Sequence, residues 1–305
     1  VLWISAALAA IALSLASTVR GETERTGTAI DELRSYYLAT GAIDRAMLEF
    51  LWSTVNPNQR TVPRLATAVD YRFPTGVARV EIIPETARLN INTATPERLY
   101  RLLAALGVEP ARAHEIALGI VDWRTPGSGL FDAYYLSLTP SFRASHASFQ
   151  ETEELLQVRG VTAEIYYGTY VPATGSRLIR RSGLIDCVTI FGSDDRIDAN
   201  SANPAVLAAI GLPPDAIDLL IERRRMQPLD ELRFSELAPL LGTGAAFLRL
   251  EGNSIVTYRA TAQVLLPNGQ LSDLKRTVAA QVKYLPATSD SRIHVLRWYD
   301  TAWSN

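Results

Sequence analysis

The sequence predicts an α+β fold: a long N-terminal helix, an antiparallel sheet, and a large helical insertion between the two parts of the sheet. Three observations predict it. The first nineteen residues, "VLWISAALAAIALSLASTV", carry no charge, and a densely charged stretch follows them. Alternating strand patterns occur before residue 86 and return after residue 184, and helical spacing dominates between them. The rhythm of short βαβ crossovers that a parallel sheet needs is missing.

At 1.5 Å per residue the charge-free stretch spans about 29 Å as a helix, nearly the hydrocarbon thickness of a bilayer. Val1, Leu2, Trp3, Ile4, Leu8, Ile11, Leu13, Leu15 and Val19 supply its apolar surface. Its Ala and Ser content suits close packing against other helices in a membrane or filament. A secretory signal peptide has a shorter apolar region and a break after it. Here helix-favouring residues resume past Gly21 through "DELRSYYLATGAIDRAMLEFLW", where Tyr36, Ile43, Met47, Phe50 and Leu51 keep a helical apolar spacing. One helix of about fifty residues, roughly 75 Å long, is expected, apolar all round in front and amphipathic behind. A first residue of Val rather than Met suits a processed or trimmed start.

"NPNQ" at 56–59 breaks this helix and Pro63 prevents its return. "LATAVDYRF" and "GVARVEII", divided by Pro74, Thr75 and Gly76, form a predicted hairpin. Helical patterns follow in "TPERLYRLLAALG", "EPARAHEIALGIVDWR", "SFQETEELLQVRG" and "TAEIYYG", and "LIDCVTIFG" returns to strand character. "NPAVLAAIG", "PPDAIDLLIERRRM" and "SELAPLLG" are helical again. "SIVTYRATAQVLL" then alternates, turns at Pro267, Asn268 and Gly269, and is answered by "LSDLKRTVAAQVKYL", with Asn-Gly as the hairpin cue.

The expected partition is 1–52 for the membrane and amphipathic helix, and 53–91, 184–195 and 247–285 for the antiparallel sheet domain. Residues 92–183 form an inserted helical domain, 196–246 a second helical copy, and 286–305 an unassigned C-terminal tail.

One phrase occurs twice. "RLNINTATPERL" begins at Arg88 and "RIDANSANPAVL" at Arg196, with Arg, Asn, Ala and Pro in matching places. Pro96 and Pro204 suit a first helical turn, where the missing N–H would be unpaired anyway. Thr95 and Asn203 are the expected caps. Asn90, Asn92 and Asn200, with Asp198, can close local side-chain turns that swing a strand end into a helix. A rigid strand-to-helix corner is the plain interpretation. The sharper one is a nucleic-acid site, because a similar phrase opens helix-hairpin-helix modules that hold DNA backbones at helix N-termini. Such modules need a glycine-rich hairpin, and "LGVEP" and "IGLPPD" put prolines and acids there instead.

With 30 basic and 32 acidic residues, no overall field gathers a polyanion. The single cysteine, Cys187, is expected to be an inert core thiol in a buried strand. His114, His146 and His294 lie far apart, without the spacing of a zinc site. No G-x-S-x-G elbow, P-loop or other catalytic motif occurs, so no catalytic or cofactor-binding residue is assigned and the chain is expected not to be an enzyme. The acidic phrases "SDDR" at 193–196 and "SDSR" at 289–292 are expected as turns, Trp123 as a packing anchor, and one or two of Arg223, Arg224 and Arg225 as partners of Asp218 or Glu222.

The charge-free first helix, the interrupted sheet, the paired "RLNxNTAxP"-like phrases, "VDWR" and "SFQETEELLQVRGVT" together resemble the K-type minor pseudopilin of type II secretion systems, the general secretion pathway protein K family. The resemblance covers nearly the whole chain. It implies a pilin-like long helix, a sheet domain and a large inserted helical domain, on a protein held in the inner membrane by a single pass with its bulk in the periplasm. It also implies a leader cut by a prepilin peptidase, a methylated N-terminus, and no acidic fifth residue, a position held here by Ser5. The implied role is at the pseudopilus tip, initiating assembly and supporting export of folded proteins. The implied partners are the I- and J-type minor pseudopilins, with the H-type pseudopilin and the inner-membrane assembly platform beyond them. Family members can bind calcium through acidic residues after "DW" and before "YYL". Asp122 and Asp132 match by position in "DWRTPGSGLFDAYYL", where Arg124 and Pro126 replace further acids. The alternative is a membrane-tethered DNA-binding protein of the competence type, resting on the two corner phrases. A hydrolase has no residue in its favour.

Overall fold

The computed structural model describes residues 2–63, 65–172, 178–192, 196–250, 254–285 and 291–302. Val1, residues 193–195 of "SDDR" and residues 289–290 of "SDSR" lie outside the described residues. Helix α1 (Leu2–Val55) is one unbroken element of 54 residues, about 80 Å long. Its described side chains are exposed from Leu2 to Arg20. Ala39, Ala42, Ile43, Ala46 and Met47 in the rear half are buried, at the i, i+3, i+4, i+7, i+8 positions of one helix face.

Strands β1 (Ala68–Phe73) and β2 (Gly76–Pro84) form the expected hairpin. A short β3 (Leu89–Asn90) leads to helices α2 (Pro96–Ala105), α3 (Pro110–Arg124) and α4 (Asp132–Ser137). "SFQETEELLQVRG" yields a 3-10 helix over Thr152–Gln157 rather than an α-helix, and α5 (Ala163–Tyr167) follows. A small hairpin, β4 (Thr169–Pro172) and β5 (Leu178–Arg181), follows, in the stretch between "TAEIYYG" and "LIDCVTIFG" to which the sequence assigns no element.

Of the segment 184–195, the described residues 184–192 do not join the large sheet. Leu184–Cys187 is a helical turn, α6, and β6 (Val188–Thr189) pairs in parallel with β3. Cys187 therefore ends a helical turn instead of sitting in a strand, although it is fully buried as expected. Its burial pushes the thiol pKa well up, so the thiolate that would react is suppressed.

The second copy runs β7 (Ile197–Asp198), α7 (Pro204–Ala209), α8 (Pro214–Met226), α9 (Glu231–Leu237) and β8 (Leu248–Arg249), and β8 pairs in parallel with β7. Strands β9 (Ile255–Val264) and β10 (Arg276–Tyr284) return to the large sheet. The unassigned tail contributes β11 (Ile293–Tyr299) as its edge. The sheet order is β1-β2-β9-β10-β11, every neighbour antiparallel.

Two cores result. The first lies between α1 and one face of the sheet, where Val80, Tyr258, Ala260, Val278 and Val282 meet the Ala39–Met47 stripe. Alanines on both surfaces let the helix lie close. The second runs without interruption from Leu89 to Leu248 through both helical copies, and α2 packs directly on α7. The two phrases thus build one body.

Glu85 joins the cores. Its side chain is fully buried, with one oxygen 2.6 Å from the Thr257 hydroxyl on β9 and the other 2.5 Å from the Thr189 hydroxyl on β6. Both hydroxyls donate. Arg88 lies 3.4 Å from the same carboxylate and balances its charge.

Candidate functional site

The front half of α1 is the first candidate surface. Leu2, Trp3, Ile4, Leu8, Ile11, Leu13, Leu15 and Val19 are between 56% and 88% exposed. An uncharged helix apolar on every side has no partner among the described residues, and it is long and apolar enough to cross a membrane. It is the one such helix among the described residues. The expected face of Tyr36, Ile43, Met47, Phe50 and Leu51 is turned to the sheet in graded fashion. Ile43 and Met47 are buried, whereas Tyr36, Phe50 and Leu51 are half-buried. The Phe50 ring sits 4.4 Å from that of Tyr284.

The two corners share one plan, a side-chain turn followed by a capped helix with proline in its first turn. Thr95 Oγ1 accepts from the Arg98 N–H at 3.3 Å, and Asn203 Oδ1 accepts from the Ala205 N–H at 3.0 Å. Pro96 and Pro204 occupy first-turn positions. Asn90 Oδ1 accepts from the Asn92 N–H, and Asp198 Oδ1 from the Ser201 N–H, each at 2.8 Å, so both close the local turns expected of them.

Asn92 and Asn200 reach further than a local turn. Asn92 accepts from the Phe149 N–H at 2.8 Å and donates to the Phe149 carbonyl at 3.0 Å. Asn200 does the same to Leu229, at 2.7 Å and 3.0 Å. Each amide replaces one rung of a strand ladder for a distant segment. A buried side-chain amide used on both sides satisfies two backbone groups that would otherwise be orphaned.

An arginine from the second helix of each copy completes the corner. Arg124 donates to the Ile91 carbonyl and, at 2.6 Å, to that of Ala94, and Arg224 donates to the Ala199 carbonyl at 2.9 Å. Arg224 thus turns inward toward Asp198 instead of pairing with Asp218 or Glu222. No signal in the sequence pointed to either arginine, because each lies on a helix that could equally show that position to solvent. Trp123 is buried in an aromatic cluster with Tyr135, Phe142 and Phe149, which fixes it as a core anchor.

The helix-hairpin-helix turns are closed to phosphate. Gly107 (φ +76°) and Gly211 (φ +94°) end α2 and α7 in the left-handed conformation, as such turns require. At the start of α3, however, Glu109 accepts from the Ala111 and Arg112 N–H groups, both at 3.0 Å. Those backbone bonds hold its carboxyl below the ordinary range. The protein's own carboxylate fills the place where an anion would dock. At α8, Pro213 at the cap and Pro214 at the first position carry no N–H, and Asp215 adds negative charge beside the N–H groups that remain.

The calcium candidates do come together. Asp122 closes the 125–131 loop by accepting from the Leu130 N–H at 2.6 Å and the Phe131 N–H at 3.3 Å. Asp132 Oδ2 accepts from the Gly129 N–H at 2.8 Å, and its Oδ1 lies 2.8 Å from His146 Nε2. His146 Nδ1 is 3.2 Å from the Asp122 carbonyl and 3.1 Å from that of Thr125. The Gly129 bond and the His146 contact lower the Asp132 pKa, and the same contact raises that of His146. His146 has φ +46° and is the one non-glycine residue at positive φ among the described residues. That conformation costs about 1–2 kcal/mol, which the ring contacts offset.

Calcium takes six to eight oxygen ligands. Here all four carboxylate oxygens face nitrogen donors, and Arg143 adds positive charge beside Asp132. Donor hydrogens repel a cation, so the residues do not fit calcium. Among the described residues, no group of three or more His, Cys, Asp or Glu side chains could hold a metal ion.

Residues 82–169 match the family described as Type II secretion system (T2SS), protein K, first domain. No curated protein matches the sequence. Among solved structures, the chain is similar to one chain of the GspK-GspI-GspJ complex from the enterotoxigenic Escherichia coli Type 2 Secretion System. The TM-score is 0.52 and the identity 16%, over 92% of this chain and 100% of that one. At that identity the likeness carries the α+β fold. The matched stretch contains the first corner, α2, α3 and the 125–131 loop.

Proposed function

We propose that this chain, a K-type minor pseudopilin by its matched domain and its fold, works at the tip of a type II secretion pseudopilus. α1 holds it in the inner membrane by a single pass, and the sheet and the helical body lie in the periplasm. It joins I- and J-type minor pseudopilins, with the H-type pseudopilin and the inner-membrane assembly platform as further contacts. Its part is to initiate assembly and support export of folded proteins, with no chemistry of its own.

The observation that carries this reading is the division of α1: Leu2 to Val19 uncharged and exposed, the far end sealed to a sheet through Ala39, Ala42, Ile43, Ala46 and Met47. A single rigid rod thus couples a membrane or filament core to a folded head. Membrane helices associate by close packing of small side chains, and the run of Ala and Ser from Ser5 to Ser17 supplies them.

The competence-type DNA reading is disfavoured by Glu109 and by the prolines before α8. The experiment is co-purification of the tagged full chain with I- and J-type minor pseudopilins from detergent-solubilised membranes. A stoichiometric complex is expected, and its absence when all partners are folded would overturn the proposal. Duplex DNA retention that weakens steeply with salt would favour the alternative.

A further inference from the structure

We infer that His146 takes the place of a divalent cation at the 125–131 loop, so that the helical insertion folds with no calcium requirement. A loop that turns two carboxylates toward one place needs positive charge or hydrogen-bond donors there. Here both are built into the chain. His146 Nε2 meets Asp132 at 2.8 Å, and Nδ1 lies 3.2 Å and 3.1 Å from the Asp122 and Thr125 carbonyls. One imidazole thereby ties both ends of the loop and the start of α4, as a metal would.

Two further observations point the same way. His146 holds a left-handed backbone conformation that non-glycine residues seldom adopt, which indicates that its ring position is enforced. Around Gly129 the two carboxylates and the imidazole converge closely. A methyl group there would lie 2.5 Å from His146 Cε1, 2.7 Å from Asp122 Oδ2 and 3.0 Å from Asp132 Oδ1. The ring edge fills the space between the acids, and the remaining donors are the N–H groups of Gly129, Leu130 and Phe131.

The test uses the full chain in detergent and two variants. His146→Asn tolerates a left-handed backbone but cannot bridge both sides, which separates the ring's contribution from backbone strain. His146→Asp replaces the bridging ring with a third carboxylate. Thermal unfolding with added calcium or with EDTA, and chymotrypsin cleavage after Leu130 and Phe131 followed by mass spectrometry, are the readouts. The native chain is expected to unfold at the same temperature under both conditions. His146→Asn is expected to be cut at the loop roughly tenfold faster, because the open form is more populated, with the remaining fragments unchanged. His146→Asp is expected to regain slow cleavage only when calcium is present. A calcium-dependent unfolding temperature in the native chain would overturn the inference, as would loop cleavage in His146→Asn at the native rate. Neither result bears on assembly with I- and J-type partners, so the proposed function stands or falls separately.

Discussion

Asp198 is an acid held at a cost. Burial raises its pKa from 3.8 to about 6, against hydrogen bonds from Ser201 and Asn200 and the nearby Arg224 charge, which pull it down. A carboxyl whose folded pKa lies above its unfolded value binds more protons in the folded state across that window. Its contribution to stability is complete below pH 3.8 and is lost as pH rises through about 6. The gap of about 2 pH units corresponds to about 3 kcal/mol. Asp198→Asn removes this titration. The first copy shows that an amide fits, since Asn90 stands at the equivalent place and its Oδ1 closes the same kind of turn.

The gain is partly offset, because Arg224 is itself buried and would lose a compensating charge while keeping its bond to the Ala199 carbonyl. A net stabilisation of about 1–2 kcal/mol is expected above pH 7, vanishing near pH 4. Denaturant unfolding of the native and variant chains across that range measures it. If the variant keeps the native slope with pH, or is less stable than the native chain above pH 7, then the Asp198 charge is favourable and the reasoning fails.

Two further outcomes are expected. Asn92→Ala and Asn200→Ala each leave a buried N–H and C=O of Phe149 or Leu229 without partners, costing about 2–4 kcal/mol apiece; equal losses from both, measured by denaturant unfolding, would show that the corners are equivalent in energy as well as geometry, and a loss under about 1 kcal/mol would deny the clamp. Glu109→Ala uncovers the N–H groups that start α3, lowering the thermal unfolding temperature, and fluorescence anisotropy should still detect no salt-sensitive duplex binding, because α8 keeps Pro213, Pro214 and Asp215 at its start.

Much of the fold was legible in the residues because its signals are local. α1 announces itself by a charge-free run followed by helical spacing. The β1–β2 and β9–β10 hairpins announce themselves by alternation around turn residues, and Gly269 indeed takes φ +79°. Thr95, Pro96, Asn203 and Pro204 could be assigned because a cap acts within three residues. β11 was missed because an edge strand facing solvent along His294–Leu296 shows no clean alternation. Residues 184–192 lie apart from the large sheet, and the sequence could not tell this, because a short apolar run fits a strand or a buried helical turn equally well.

What the sequence by itself determined was therefore the set of elements: the rod, the hairpins and the two capped corners, each fixed by side chains a few positions apart. What only the tertiary structure decided was how the copies join and what holds them. Asn92 and Phe149 are 57 residues apart, Asn200 and Leu229 are 29 apart, and Thr257 meets Glu85 across 172. Asp122, Asp132 and His146 converge from two helices and a loop. A polar side chain carries no mark of which distant backbone it will satisfy, because that partner exists only once the shared core has closed and excluded water from both.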